Sequence, residues 1–217
     1  MRRRPLPVLV LLLLAFAPTP VAFAEEVLPM KLPPPQTEGG KPLMQALRER
    51  RSTREFSPEK LPVQTLSNLL WAAAGINRPG EGKRTAPSAR NWQEIDVYVA
   101  MADGLFLYDP KAHALLPVAK TDLRAATGMQ DYVGTAPVNL VYVADTSRLP
   151  ALSAEDTVMY TAADAAFMAE NAYLFAASAG LAAVVRGAVD REALKKAMGL
   201  KAEQRVVLCQ TMGMPKK

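Results

Sequence analysis

Apolar residues recur at steps of three and four through residues 156–180: Met159, Ala162, Ala166, Ala169, Tyr173 and Ala176. That period predicts one long helix. Its interior is mostly alanine, which favours helix intrinsically and lets a second helix approach closely. Asp156 stands where a side-chain oxygen can accept orphan N–H groups, and Gly180 where a left-handed residue stops the helix. Phe167, Met168 and Phe175 lie elsewhere on the wheel, so the segment is apolar nearly all round and predicts burial on most sides. It reaches the ~20 residues that cross bilayer hydrocarbon. Asp164, Glu170 and Asn171 interrupt it, so the expectation is a core or dimer helix rather than a membrane span.

Shorter patterns surround this helix. Leu66, Leu69, Leu70 and Ala73 form one face of a helix predicted over 63–74, opened by Pro62 and stopped by Gly75. A short helix over 42–49 precedes it. Residues 94–101 alternate, with Ile95, Val97 and Val99 against Asp96, Tyr98 and Ala100, which predicts a strand. Ala102-Asp103-Gly104 is a hairpin signal, and 105–108 return as a second strand. Residues 115–118 predict an edge segment and 122–126 a short helix. Residues 137–144 are apolar almost without a break, as a central strand covered on both faces would be. A strand over 182–185, a helix over 190–198 capped by Asp190 and stopped by Gly199, and a strand over 205–211 follow. Residues 77–91 are basic and rich in turn formers, and predict a flexible loop. Helices and strands mix without regular βαβ alternation, so the class is α+β.

The chain begins Met1-Arg2-Arg3-Arg4, continues as an apolar run over 8–17, and reaches Ala22-Phe23-Ala24. A basic start, a short apolar stretch and a small-x-small site predict a signal peptide over 1–24, cleaved after Ala24. Arg3-Arg4 fits twin-arginine export, whereas Pro5 and the leucine-rich run fit ordinary secretion. The expected location is periplasmic or secreted, with no integral membrane span after cleavage. Residues 25–40 predict an extended linker, and 41–217 one domain of ordinary size. Removing three arginines with the leader lowers the formal charge from +5 to about +2. The high isoelectric point is therefore poor ground for nucleic-acid binding, and no nucleic acid is expected.

Cys209 and His113 are the sole cysteine and histidine. One of each excludes metal sites built from Cys and His. A Ser-His-Asp arrangement would hang on His113, which lies in a turn-like stretch and reads as an exposed loop residue. Cys209, within Val206-Val207-Leu208-Cys209, reads as a small core residue. Gly82-Lys83 resembles part of a phosphate loop, but Arg84 and Asn77 stand where that motif needs Ser/Thr and Gly. Arg50, Arg51 and Arg54, with Ser52 and Thr53 among them, suit a phosphate: guanidinium groups offer bidentate donors and hydroxyls fill the remaining acceptors. The same spacing suits a solvated basic turn, and spacing alone leaves both open.

Five motifs in order carry a resemblance. They are Arg50-Arg51-Ser52-Thr53-Arg54-Glu55-Phe56 before a helix, Pro87-Ser88-Ala89-Arg90-Asn91-Trp92-Gln93, and the hairpin over 96–108 continuing to Asp109-Pro110. The Ala-rich helix with Glu170-Asn171 and the segment 180–200 complete the set. Together, over roughly residues 43–213, the chain resembles the nitroreductase family of flavin enzymes. The hairpin resembles the branch that holds the azoline-oxidising dehydrogenases of peptide maturation. The resemblance implies a central mixed, mainly antiparallel sheet flanked by helices, with the long helix at a homodimer interface.

It also implies FMN. By that resemblance Arg50, Arg51 and Ser52 hold phosphate and ribityl oxygens, and Arg54 lies near the pyrimidine edge, where a cation stabilises the reduced ring. Asn91 matches the asparagine that hydrogen-bonds the ring, with Ser88 and Gln93 beside it; its plain reading is a turn residue before a strand. Val185, Arg186 and Gly187 match the stretch covering the reactive face through backbone N–H groups. Many relatives carry an acid where Arg186 stands, which implies either an altered substrate charge preference or a drifted pocket. Relatives often run on past Gly-x-Pro with basic residues that reach the phosphate; here Lys216 and Lys217 are either substitutes or a solvated tail. The implied activity is electron transfer through flavin N5 to a small molecule such as a quinone or nitroaromatic, with NAD(P)H a family donor and no catalytic side chain required. Two alternatives remain: a flavin-less interaction module, and oxidation of a peptide substrate.

Overall fold

The structure, a computed structural model, describes residues 29–217, so the predicted signal peptide lies outside the described residues. In chain order the regular elements are β1 (Met30–Lys31), α1 (Leu43–Glu49), α2 (Val63–Ala74), β2 (Ile76–Arg78), β3 (Lys83–Arg84), β4 (Ile95–Met101) and β5 (Gly104–Asp109). Then come β6 (Ala114–Ala119), β7 (Val138–Asp145), α3 (Ala154–Ala179), β8 (Ala182–Arg186), α4 (Arg191–Ala197) and β9 (Gln204–Gly213). Seven strands make one sheet in the order β1-β6-β5-β4-β7-β9-β8.

The strand pattern explains the layering. Leu140, Tyr142 and Ala144 of β7 alternate with Val141 and Val143, and every residue from Val138 to Ala144 is buried. Odd and even positions face different cores because successive strand side chains point to opposite faces. One core packs β4 and β7 against Leu66, Leu69, Leu70 and Ala73 of α2 and Ala165, Met168, Ala172 and Ala176 of α3. The other packs the reverse face, with Cys209, against Leu194 of α4, Val189 and Met198. Cover on both faces is why β7 reads as an unbroken apolar run. Cys209 is fully buried, as its apolar neighbours predict.

The pairings of the large sheet are all antiparallel among the described residues, rather than mixed. The crossover through α3 joins β7 to β8, two strands that run the same way. β9 inserts between them and pairs antiparallel with both, so no parallel ladder forms.

Five local expectations are corrected. Ser153, not Asp156, caps α3: its Oγ accepts from the Asp156 N–H at 3.0 Å and donates to the Asp156 carboxylate at 2.8 Å. A serine followed three residues later by an acid closes such a reciprocal cap and starts the helix earlier. Burial on α3 is also one-sided: Thr161, Asp164, Ala165, Met168 and Tyr173 are buried, whereas Ala162 and Ala166 are exposed. The sheet and α2 cover one side only, so Val158, Met159 and Phe167 stand 48%, 52% and 47% exposed.

Residues 77–91 are not one loose loop: β2 pairs with β3, and a tight turn spans Ala89–Asn91. The 115–118 segment lies inside β6, with β1 as the outer strand. That edge is extended by residues 32–33, which lie between His113 and α2. Leu32 N–H bonds His113 O at 3.1 Å, and Ser67 Oγ donates to Pro33 O at 2.6 Å.

His113 is half-buried, not an exposed loop residue. Its Nε2 meets Ser67 Oγ at 2.7 Å and its Nδ1 meets Tyr108 OH at 2.9 Å. Ser67 has given its one proton to Pro33 O, so Nε2–H donates to Ser67 and Nδ1 accepts from Tyr108. That is a neutral imidazole, and burial correspondingly lowers its pKa. Its partners lie far away in the chain or across the strand, out of reach of a turn rule.

Candidate functional site

Residues 50–54 leave α1 as an extended strap. The Arg50 N–H closes the helix on Ala46 O at 2.8 Å, and the Thr53 N–H bonds Ala183 O at 2.8 Å, stitching the strap to β8. Between those anchors lies a cavity of about 530 Å³ lined by Arg48, Arg50, Arg51, Thr53 and Tyr173. Tyr173 of α3 is the hub. Its hydroxyl accepts from the Val185 N–H at 2.7 Å and meets Ser52 Oγ at 2.9 Å. The Arg50 guanidinium stands 5.4 Å from the centre of its ring, within cation–π range.

Lys41 and Glu49 also line the cavity and pair with each other at 2.7 Å, which leaves the arginines as net positive charge. No carboxylate lies within ion-pair distance of Arg50, Arg51 or Arg54 among the described residues. Residues 214–216 run alongside the strap. Ser57 N–H bonds Met214 O at 2.9 Å and Lys216 N–H bonds Glu55 O at 3.3 Å, so the terminal lysines run beside Arg54-Glu55. A cavity walled by Arg48, Arg50, Arg51, Thr53 and Tyr173 fits a phosphomonoester, whose oxygens accept many hydrogen bonds.

Val185, Arg186 and Gly187 follow from β8. Val185 presents its backbone to Tyr173. Arg186, one step along the strand, sends its side chain to the other face. Its guanidinium is 5% exposed and donates to Thr127 O at 2.7 Å, Asn139 Oδ1 at 3.0 Å and Thr211 Oγ1 at 2.7 Å. It also stands 6.0 Å from the Tyr132 ring. Burial lowers the pKa of this guanidinium, and no carboxylate pairs with it among the described residues. Of the two consequences expected from Arg186, a direct charge on substrate has no support in this geometry. The residue ties β7, β8 and β9 to the 127–132 segment.

Ser88, Asn91 and Gln93 form a separate constellation. Ser88 Oγ accepts from the Gln93 N–H at 3.0 Å, and Gln93 Nε2 donates to Asn91 Oδ1 and Gly82 O, each at 2.9 Å. Arg90, Asn91 and Gln93 all have positive φ, at 47°, 59° and 52°, a conformation that costs about 1–2 kcal/mol for an ordinary residue. The turn is held down by the Ala89 N–H, which donates to Asp164 Oδ2 of α3 at 3.0 Å.

Beneath that turn sits Glu94, fully buried, with neither carboxylate oxygen bonded to a hydrogen-bond donor. Burial, reinforced by the Asp164 carboxylate and opposed by Arg84, pushes its pKa up to about 7.

The chain therefore brings Arg50, Arg51, Ser52 and Val185 to Tyr173, but keeps Ser88, Asn91 and Gln93 at Asp164. Nine residues of α3 separate the two anchors, about 13 Å along the axis. Sequence reading missed Tyr173, Asp164 and Glu94. The available signal for Tyr173 was its hydroxyl: a tyrosine on a core face needs a polar partner. Nothing in the local sequence marks Glu94.

Comparison with known proteins gives a consistent answer. The profile of the Nitroreductase family matches residues 47–214. A nitroreductase-type crystal structure from Ralstonia eutropha JMP134 is 45% identical, covers 89% of this chain and 97% of that one, and superposes with a TM-score of 0.82. The E. coli microcin synthetase McbBCD complex, with truncated pro-MccB17 bound, holds a chain that is 20% identical, with 93% and 84% coverage and a TM-score of 0.67. A nitroreductase-type structure from Desulfovibrio desulfuricans in complex with FMN is 23% identical, with 82% and 89% coverage and a TM-score of 0.60.

Proposed function

The chain belongs to the nitroreductase family of flavin oxidoreductases, and we propose that it binds FMN and passes electrons through it to a small acceptor in an exported compartment. The observation that carries the reading is the basic cavity lined by Arg48, Arg50 and Arg51, beside which the Ser52 hydroxyl meets Tyr173. The related structure that holds FMN supports the identity of the anion. Arg50, Arg51 and Ser52 bind the phosphate and ribityl oxygens, and Arg54 with the terminal lysines adds positive charge. Val185 gives its N–H to Tyr173, so Gly187 is the backbone donor this reading leaves for the ring. Bound FMN supplies hydride and electron transfer at N5; the protein supplies position and electrostatics.

A homodimer completes the site in this reading. Asn91, with Ser88 and Gln93, lies about 13 Å along α3 from the phosphate group, so a second copy brings its own turn to the flavin. The exposed α3 face at Val158, Met159 and Phe167 gives that copy an apolar surface to cover. The leader argues for a periplasmic or secreted enzyme. There NAD(P)H is scarce, so a quinol or protein donor fits better than NAD(P)H, and a quinone or nitroaromatic is the acceptor class. No helix among the described residues is long and apolar enough to cross a membrane. The likeness to a chain of a peptide-bound synthetase favours one second reading, oxidation of a peptide, which predicts flavin reduction by peptide without NAD(P)H.

The test is the visible spectrum of protein from its native compartment, with identification of any released flavin. Arg50→Ala and Ser52→Ala should each weaken FMN binding by ~1.5–3 kcal/mol, roughly tenfold to a hundredfold. Colourless protein that takes up no added FMN would refute the assignment and favour the interaction-module reading.

A further inference from the structure

We propose that Tyr173 is a positioning residue whose hydroxyl turns the Ser52 proton outward beside Arg50 and Arg51, making that end of the site selective for a phosphomonoester. The inference rests on the FMN reading above and assigns a role to a residue outside the binding set. It follows from counting protons. The Val185 backbone N–H can only donate, so at 2.7 Å the Tyr173 oxygen accepts from it. The other polar neighbour of that oxygen is Ser52 Oγ at 2.9 Å. Tyr173 owns one proton and is 5% exposed, so its proton has one bonded destination, Ser52.

Ser52 Oγ then accepts, and its own proton must point away from Tyr173. Tyr173 is the sole hydrogen-bond partner of that hydroxyl among the described residues. The free direction is outward, where Ser52 is exposed on the strap whose neighbouring Arg50 and Arg51 line the cavity. Hydrogen bonds in such a chain polarise one another in the same sense.

The opposite arrangement is worse twice over. Ser52 would donate inward, the Tyr173 proton would be buried without an acceptor, and a serine lone pair would face the anion. Tyr173 thus converts a rotating hydroxyl into a fixed donor. It does so from α3, with its ring held under the Arg50 guanidinium. The same bond ties the Val185 strand, expected at the flavin ring, to the phosphate end.

The experiment compares FMN with riboflavin, which lacks the phosphate, by fluorescence titration of the full dimeric protein freed of flavin. Tyr173→Phe keeps the ring and removes the relay. It should weaken FMN binding about tenfold, at the lower end of a bond to a charged group, and riboflavin binding clearly less, because only the lost Val185 bond reaches the ring. The double variant Tyr173→Phe/Ser52→Ala should bind FMN no worse than Ser52→Ala alone, because both changes cut one chain. Site-specific 3-fluorotyrosine at 173 keeps the fold and donates more strongly, so it should raise the preference for FMN over riboflavin.

Equal losses for both flavins would make Tyr173 merely structural and overturn the proposal. So would additive single-variant losses, or a fluorotyrosine protein with unchanged preference. Wild-type protein that binds neither flavin would instead refute the FMN assignment itself, so the two failures are distinct.

Discussion

Glutamine at position 94 should remove a block of pH dependence from the stability of this protein. Glu94 is fully buried, and its carboxylate oxygens meet no donor. Burial first, then the nearby Asp164 carboxylate, raise its pKa from an ordinary 4.5 to about 7. Between those values the folded state holds a proton that the unfolded state has released. Stability from this group is therefore complete below about 4.5 and lost as pH rises through about 7. Each pH unit inside the window costs up to about 1.4 kcal/mol, so the whole crossing removes about 3 kcal/mol. Glu94→Gln keeps the size and stays neutral. The variant should therefore gain about 3 kcal/mol on wild type between pH 4.5 and pH 8. Urea unfolding of both proteins at each pH measures this, and the other titrating groups cancel in the difference. A gap between the two proteins that does not move with pH would show that Glu94 is already ionised in the fold, and the reasoning would fail.

Arg186→Met should destabilise the fold by ~2–4 kcal/mol in denaturant unfolding, since it strands the buried Thr127 carbonyl and cuts a tie among three strands. A loss under about 0.5 kcal/mol would mean that the guanidinium bonds merely repay its desolvation. Ser153→Ala should cost ~1 kcal/mol by loss of the α3 cap, while Asp156→Ala should cost less, and the reverse order would contradict the assignment. Phe167→Glu places a charge on the exposed α3 face and, on the proposed dimer reading, should turn dimer into monomer in sedimentation, with loss of bound flavin; an unchanged mass would refute that interface. Burial pushes the Cys209 thiol up to about 12, so it should resist a thiol reagent at pH 8 until the protein is unfolded; rapid labelling of native protein would place it at the surface.

Most of the architecture was legible from local pattern. α2 begins and ends at Val63–Ala74 as its apolar face and flanking Pro62 and Gly75 require. Gly180 stops α3 with φ of 71°. Asp190 caps α4 by accepting from the Ala193 N–H at 3.0 Å. Periodicity, caps and stops act within a few residues, so the chain states them directly. The buried side of α3 was less legible, because an alanine-rich helix offers several similar faces and the sheet chooses among them. The motifs at Arg50–Arg54 and Ser88–Gln93 likewise supplied the residues proposed for the site.

Their arrangement belonged to the tertiary structure alone. Ser52 meets Tyr173 across 121 positions of sequence, and Arg186 meets Thr127 and Asn139 across 59 and 47. Strand pairing and helix packing set those meetings. No spacing rule reaches so far, because the pull on each group comes from whatever polar atom the fold leaves beside it once water is gone. The same cause separates Glu94 from an ordinary surface acid: its residue type is written in the chain, but its proton is held by burial.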